Sequence, residues 1–166
     1  MHLYLAADHR GFNLKEKIKH WLVKEGYQVK DMGNRRLEME DDYPDFALKL
    51  ARKMKEASDR GILFCGSGIG MAIAANRFSH LRCGLGFNKE QVKHGRENDD
   101  INCLSLPADF LNFEEAREIA RVFLETEFDG KESHRRRIEK LKVPAQGGSL
   151  PKADPAQGGC ASGGKS

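Results

Sequence analysis

The 166 residues carry 28 lysines and arginines against 25 aspartates and glutamates, with the two signs interspersed and a formal net charge of +3. That length fits one domain with a sizeable core, and a balance so close to neutral excludes the basic stripe by which a protein grips nucleic acid. No segment has the apolar length of a membrane helix and no apolar leader precedes the first charges, so no membrane partner is expected.

His2 to Ala7 reads as a short buried strand, after which Leu14, Ile18, Trp21 and Leu22 recur at helical spacing until Gly26 stops the helix. Tyr27 to Asp31 is a second strand. Beyond a polar loop, Asp42 is placed to cap a helix with Pro44 in its first turn and Phe46, Leu50 and Met54 on one face. Gly61 to Phe64 reads as a third strand, and the glycine-rich run behind it opens a helix near Gly70. Arg82 to Phe87 is a fourth strand, Asn88 to Glu97 a helix, and Asn102 to Leu106 a fifth strand. Asn112 and Glu115 form a capping box for a helix through Leu124, and a basic helix over about Glu132 to Lys142 ends the domain.

From Val143 onward the composition turns to Gly, Pro, Ser, Ala and Gln, and Pro-Ala-Gln-Gly-Gly occurs at 144 to 148 and again at 155 to 159. Such a segment buries too little apolar area to offset its ordering entropy, so it is predicted to be disordered. The folded domain is therefore 1–142, and Cys160 lies outside it. The other cysteines, at 65, 83 and 103, form neither a Cys-x-x-Cys pair nor a dense framework, which points to a reduced, cytoplasmic protein.

Strand and helix alternate five times, which predicts an α/β fold with a parallel sheet, right-handed crossovers and helices on both faces. Ligands in such sheets sit at the carboxyl ends of the strands. Asp8 and His9, after the first strand, and Cys65, after the third, both fall there.

The third of these ends is the most informative stretch. Leu63-Phe64-Cys65-Gly66-Ser67-Gly68-Ile69-Gly70 runs from an apolar strand through three glycines into a helix. The glycines let backbone N–H groups turn toward one point, and the helix adds its positive end. Donors beside a potential thiolate suit chemistry that builds negative charge on an oxygen. The plainer reading is an inert core cysteine in a turn that only closes a βα unit. The Gly-x-Gly-x-Gly pattern is not a dinucleotide fingerprint, and no Gly-Lys-Ser/Thr follows to make a nucleotide-triphosphate loop.

Four ordered pieces resemble the family of ribose-5-phosphate isomerase B and the galactose-6-phosphate isomerase subunits. They are Ala7-Asp8-His9-Arg10-Gly11, Asp42-Tyr43-Pro44-Asp45, the Cys65 to Gly70 turn with Ala74-Ala75-Asn76, and Phe128-Asp129-Gly130 before a basic helix. The resemblance spans Met1 to about Lys142. It implies a three-layer, flavodoxin-like (Rossmann-like) fold and a homodimer with active sites between subunits. It also implies cofactor-free, metal-free aldose–ketose isomerisation of a sugar phosphate.

In that chemistry a base takes the proton beside a carbonyl and preset donors hold the enediolate oxygen. The resemblance gives Cys65 the base, its pKa drawn below about 8.5 by the helix end. The amides from Gly66 through Gly68 and Ile69 to Gly70 hold the oxyanion, and the Ser67 hydroxyl lies near the thiol. Asp8 holds sugar hydroxyls or the ring oxygen, His9 contacts the phosphate and Tyr43 lines the pocket.

The other half of the family pattern is altered. Asn98 stands where the family carries its ring-opening histidine, Asp99 stands at the following asparagine, and an amide cannot donate a proton as an acid. The arginine expected past the fifth strand falls near Asp109. Ser133 replaces one arginine of the last helix, while Arg137 keeps another for the phosphate. Arg10 is placed to make good the lost charge. Asp99, Asp100 or His94, one helical turn before Asn98, is placed to supply the missing acid. The alternative function is a non-catalytic sugar-phosphate-binding or regulatory protein that lost that acid.

Overall fold

The three innermost strands are apolar stretches with no water-tolerant face of their own, and pairing them in parallel between two helical layers buries them on both sides. The computed structural model describes residues 1–142, so the predicted disorder of 143–166 and the place of Cys160 lie outside the described residues. The strands are β1 (Leu3–Ala7), β2 (Val29–Asp31), β3 (Arg60–Cys65), β4 (Cys83–Leu85) and β5 (Cys103–Pro107). The helices are α1 (Phe12–Lys24), α2 (Tyr43–Lys53), α3 (Ile69–Ala75), α4 (Lys89–Asp99), α5 (Phe113–Glu125) and α6 (Glu132–Lys140). Every predicted element is present. The outer strands β2 and β4 are only 3 residues long, against the five and six expected, because neither has a second neighbour to extend its ladder.

All pairings are parallel and the strand order is β2-β1-β3-β5-β4. One face packs Leu5, Ile62, Phe64 and Leu106 against α1, α4 and α5. The other packs Tyr4, Ala6, Leu63 and Cys65 against α2 and α3. The alternation of the two sets along each strand is the two-residue period of a strand buried on both faces.

Two local expectations resolve differently. Asn112 and Glu115 make the reciprocal capping box, whereas Asp42 precedes α2 without accepting a cap bond, and Pro44 starts that helix instead. Helix α4 runs two residues past its predicted end, because Asp100 closes it in the left-handed conformation at φ 46°. A β-carbon makes that conformation costly, and two guanidiniums hold it. Arg96 Nη1 and Arg82 Nη2 each reach an Asp100 carboxylate oxygen at 2.7 Å. Arg96 is only 2% exposed and also donates to the carbonyls of Ile101 (2.6 Å) and Thr126 (3.0 Å).

Arg96→Met keeps the aliphatic stem but strands two carbonyls and leaves the Asp100 carboxylate to Arg82 alone. It should cost about 3–5 kcal/mol and lower the melting temperature by roughly 10 °C. A loss below about 1 kcal/mol in chemical denaturation would mean that water takes the guanidinium's place.

Candidate active site

The winding of the sheet reverses between β1 and β3, so the loops after these two strands open side by side at their carboxyl ends. Ala6 pairs with Leu63 and Ala7 with Phe64. The next residue on each strand, Asp8 and Cys65, therefore lies on the same face and at the same height. Both are nearly buried, at 4% and 8% exposure. Asp8 Oδ1 is fixed by the Gly11 N–H at 2.9 Å, and Gly11 sits so close to the Phe64 carbonyl that no side chain fits.

The three glycines of the turn each answer a different constraint. Gly68 has φ 74° and its carbonyl accepts from the buried Ser105 hydroxyl at 2.6 Å. Gly66 lies beneath the Arg10 and Asp109 side chains, and Gly70 lies against the Tyr43 ring. The N–H groups of Gly66 and Gly68 point at the Cys65 sulfur. The exposed Ser67 hydroxyl instead accepts from the Ile69 N–H at 3.3 Å, and so serves the start of α3.

The thiol is not acidified. Burial, then the hydrogen bond to the Asp8 carboxylate and its charge, push Cys65 up to about 12, outweighing the two amides that favour the thiolate. The expected lowering by the helix end fails because α3 is a short helix of 7 residues, and the full negative charge of Asp8 is hydrogen-bonded to the sulfur.

His9 and Arg10 flank the pair, each held by a carboxylate that the sequence reading did not single out in that role. His9 Nδ1 is 2.7 Å from Asp41 Oδ1. Arg10 Nε donates to Asp109 Oδ2 at 3.0 Å, and its Nη2 reaches the same oxygen. Asp41 lies in an acidic run, Glu40-Asp41-Asp42, with nothing in sequence to distinguish it from its neighbours.

Asn98, Asp99 and Arg137 are not brought to this site by their own chain. Helix α4 runs back along the sheet and ends beside Arg82, which precedes β4, so Asn98 and Asp99 lie at the amino ends of the strands. Helix α6, bearing the exposed Arg137, packs on α4. A hollow at that end is lined by Arg77, Arg82, Asp99, Phe128 and Arg135 among others. Of the possible replacement acids, Asp100 is bound by two arginines, while the Asn98 side-chain nitrogen lies 3.0 Å from His94 Nδ1.

The family model for ribose/galactose isomerases matches residues 3–141. A probable ribose-5-phosphate isomerase B of Mycoplasma genitalium is 36% identical over 141 residues, 84% of this chain and 92% of that protein. A putative sugar phosphate isomerase of Bacillus subtilis is 38% identical over 142 residues, 85% of this chain and 95% of its own. Among solved structures, a ribose 5-phosphate isomerase of Thermotoga maritima is similar with a TM-score of 0.80 at 40% identity, covering 84% of this chain and 96% of that one. The Mycoplasma genitalium ribose-5-phosphate isomerase B with bound ribulose-5-phosphate is similar with a TM-score of 0.81 at 36% identity, covering 85% and 93%. The chain belongs to the ribose/galactose isomerase family. By that membership it is an aldose–ketose isomerase. Among the described residues no helix is long and apolar enough to cross a membrane.

Asp8→Asn should lower the Cys65 titration by at least about one unit, because it removes the charge and weakens the acceptor that disfavour the thiolate. The measure is the pH dependence of alkylation, followed at Cys65 by mass spectrometry. An unshifted profile would leave burial as the sole cause.

Proposed function

We propose that this protein interconverts an aldose phosphate and its ketose, of the ribose-5-phosphate and ribulose-5-phosphate type, by proton transfer through an enediolate. The observation that carries the reading is the Cys65 sulfur set between the Gly66 and Gly68 N–H groups and the Asp8 carboxylate at the carboxyl end of the sheet. Such a cluster offers a base, an acceptor for the base's own proton, and fixed donors for an oxyanion. The Mycoplasma genitalium relative, whose structure holds ribulose-5-phosphate, supports the choice of substrate class.

In the proposed cycle, Asp8 draws the proton from the Cys65 thiol, to which it is already hydrogen-bonded. The thiolate takes the proton from the carbon beside the carbonyl and returns it to the neighbouring carbon. The oxygen that becomes negative lies over the amides from Gly66 to Gly70. Tyr43, across from Gly70, walls the sugar. His9 and Arg10 meet the phosphate.

A second copy of the chain completes this site. Asn98, Asp99 and Arg137 stand a full strand length from Cys65 in their own subunit, so they reach a sugar only in a partner's site. An apolar rim supports such a contact: Ile69, Ile73, Phe87 and Phe110 are 46–66% exposed around the mouth. Ring opening then falls to the Asn98 patch, where His94 touches Asn98.

Two measurements test this. Cys65→Ala should lose two to four decades of turnover while keeping its fold, read as solvent deuterium uptake into a panel of aldose and ketose phosphates. A variant with a tenth of wild-type turnover would remove Cys65 as base. Arg137→Ala should also be nearly inactive. Mixing it with Cys65→Ala should restore about a quarter of the activity through one intact site per hybrid dimer, and no recovery would place both residues in the same subunit's site.

A further inference from the structure

We propose that Asp41 is a positioning residue for the anion site, holding the His9 imidazole so that its Nε2 faces the phosphate. This rests on the reading above that His9 meets that group. Asp41 Oδ1 accepts from the His9 backbone N–H at 3.0 Å and lies 2.7 Å from the ring Nδ1. One oxygen thus fixes both the main chain and the ring of the same residue. The carboxylate is itself anchored: Oδ2 accepts from the Asn34 side-chain amide at 3.2 Å, and the Asp41 side chain is only 9% exposed. Asn34 is held in turn, its carbonyl accepting from Lys15 Nζ at 3.1 Å. Lys15 is wholly buried and paired with Asp31 at 2.8 Å. A line of polar contacts therefore runs from the end of β2 through the loop to His9.

The chemistry follows from which nitrogen is used. With Nδ1–H given to Asp41, the neutral ring offers only a lone pair at Nε2, which a phosphate oxygen does not accept. The ring donates to phosphate from Nε2 only when both nitrogens carry protons, with Nδ1–H still given to Asp41. The other charged groups near His9 are Asp8, before it in the chain, and Arg10, whose charge Asp109 already faces. Asp41 thus sets the direction in which the donor points.

The probe is inorganic phosphate, titrated into the full-length protein by calorimetry, with the ring nitrogens of His9 followed by 15N NMR. Asp41→Ala should weaken phosphate about tenfold. It should raise KM for the sugar phosphate to match while kcat stays within about twofold, and should leave His9 a mixture of tautomers. Asp41→Asn keeps an acceptor oxygen without the charge. It should hold the Nδ1–H tautomer and recover only part of the affinity. If His9→Ala weakens phosphate but Asp41→Ala and Asp41→Asn do not, the proposal fails while the role of His9 stands. If His9→Ala itself leaves phosphate binding unchanged, the role of His9 fails. In the double variant Asp41→Ala/His9→Ala, phosphate should bind no worse than in His9→Ala, and any additive loss would assign Asp41 a contact of its own.

Discussion

The register of β1 on β3 is the constraint from which the site descends. Once Ala7 lies opposite Phe64, the two-residue alternation of a strand leaves no choice but to put Asp8 and Cys65 on one face at one height. The reversal of winding at that point keeps any crossover from covering them. A slip of β1 by one residue would turn Asp8 to the other face of the sheet, into the layer of α1 and α5, and part it from Cys65. The core residues of β1 forbid that slip, because the same move would carry Leu3 and Leu5 out of the layer they share with Ile62 and Phe64. Packing energy spread over the sheet thus sets a single juxtaposition of a thiol and a carboxylate.

That juxtaposition has a cost that the turn only partly offsets. A buried thiol beside a buried carboxylate is held neutral, and two amides from Gly66 and Gly68 do not reverse the balance. The resting state is a hydrogen-bonded acid and its acceptor, not a preformed thiolate. For the proton shuttle proposed above this is no handicap: on that reading the proton has a place to go, and the thiolate forms only when substrate occupies the space beside it.

Much of this was legible in the sequence, for physical reasons that differ by residue. The five strands, the capping box at Asn112 and the strand-to-helix turn at Cys65 depend on local patterns, and they stand where periodicity and glycine spacing put them. The Cys65 acidity was misread because the helix end is visible in sequence, whereas the distance to Asp8 is set by a strand 57 residues away in numbering. Arg10 with Asp109 and His9 with Asp41 are likewise long-range pairings, separated by 99 and 32 residues. Nothing in an acidic run marks which carboxylate will meet a histidine. The division of Cys65 from Asn98 and Arg137 between opposite ends of the sheet follows from the return direction of α4, which a motif list does not carry.

On the proposed reading these pairings share one logic. His9 and Arg10 at the mouth are each backed by a carboxylate distant in sequence, so the site has fixed donors but little net positive charge. Orientation then replaces bulk attraction as the source of affinity, and the missing charge has to come from elsewhere when a phosphate dianion binds. The guanidinium of Arg137, which meets no carboxylate among the described residues, is at the wrong end of its own chain to provide it. A second subunit docking the α6 end onto the mouth would supply that charge and cover Ile69, Ile73, Phe87 and Phe110 in the same step. Phosphate recognition and subunit pairing are then not two properties of the protein. Each contributes the term the other lacks, and a weakened dimer would show first as weakened phosphate binding.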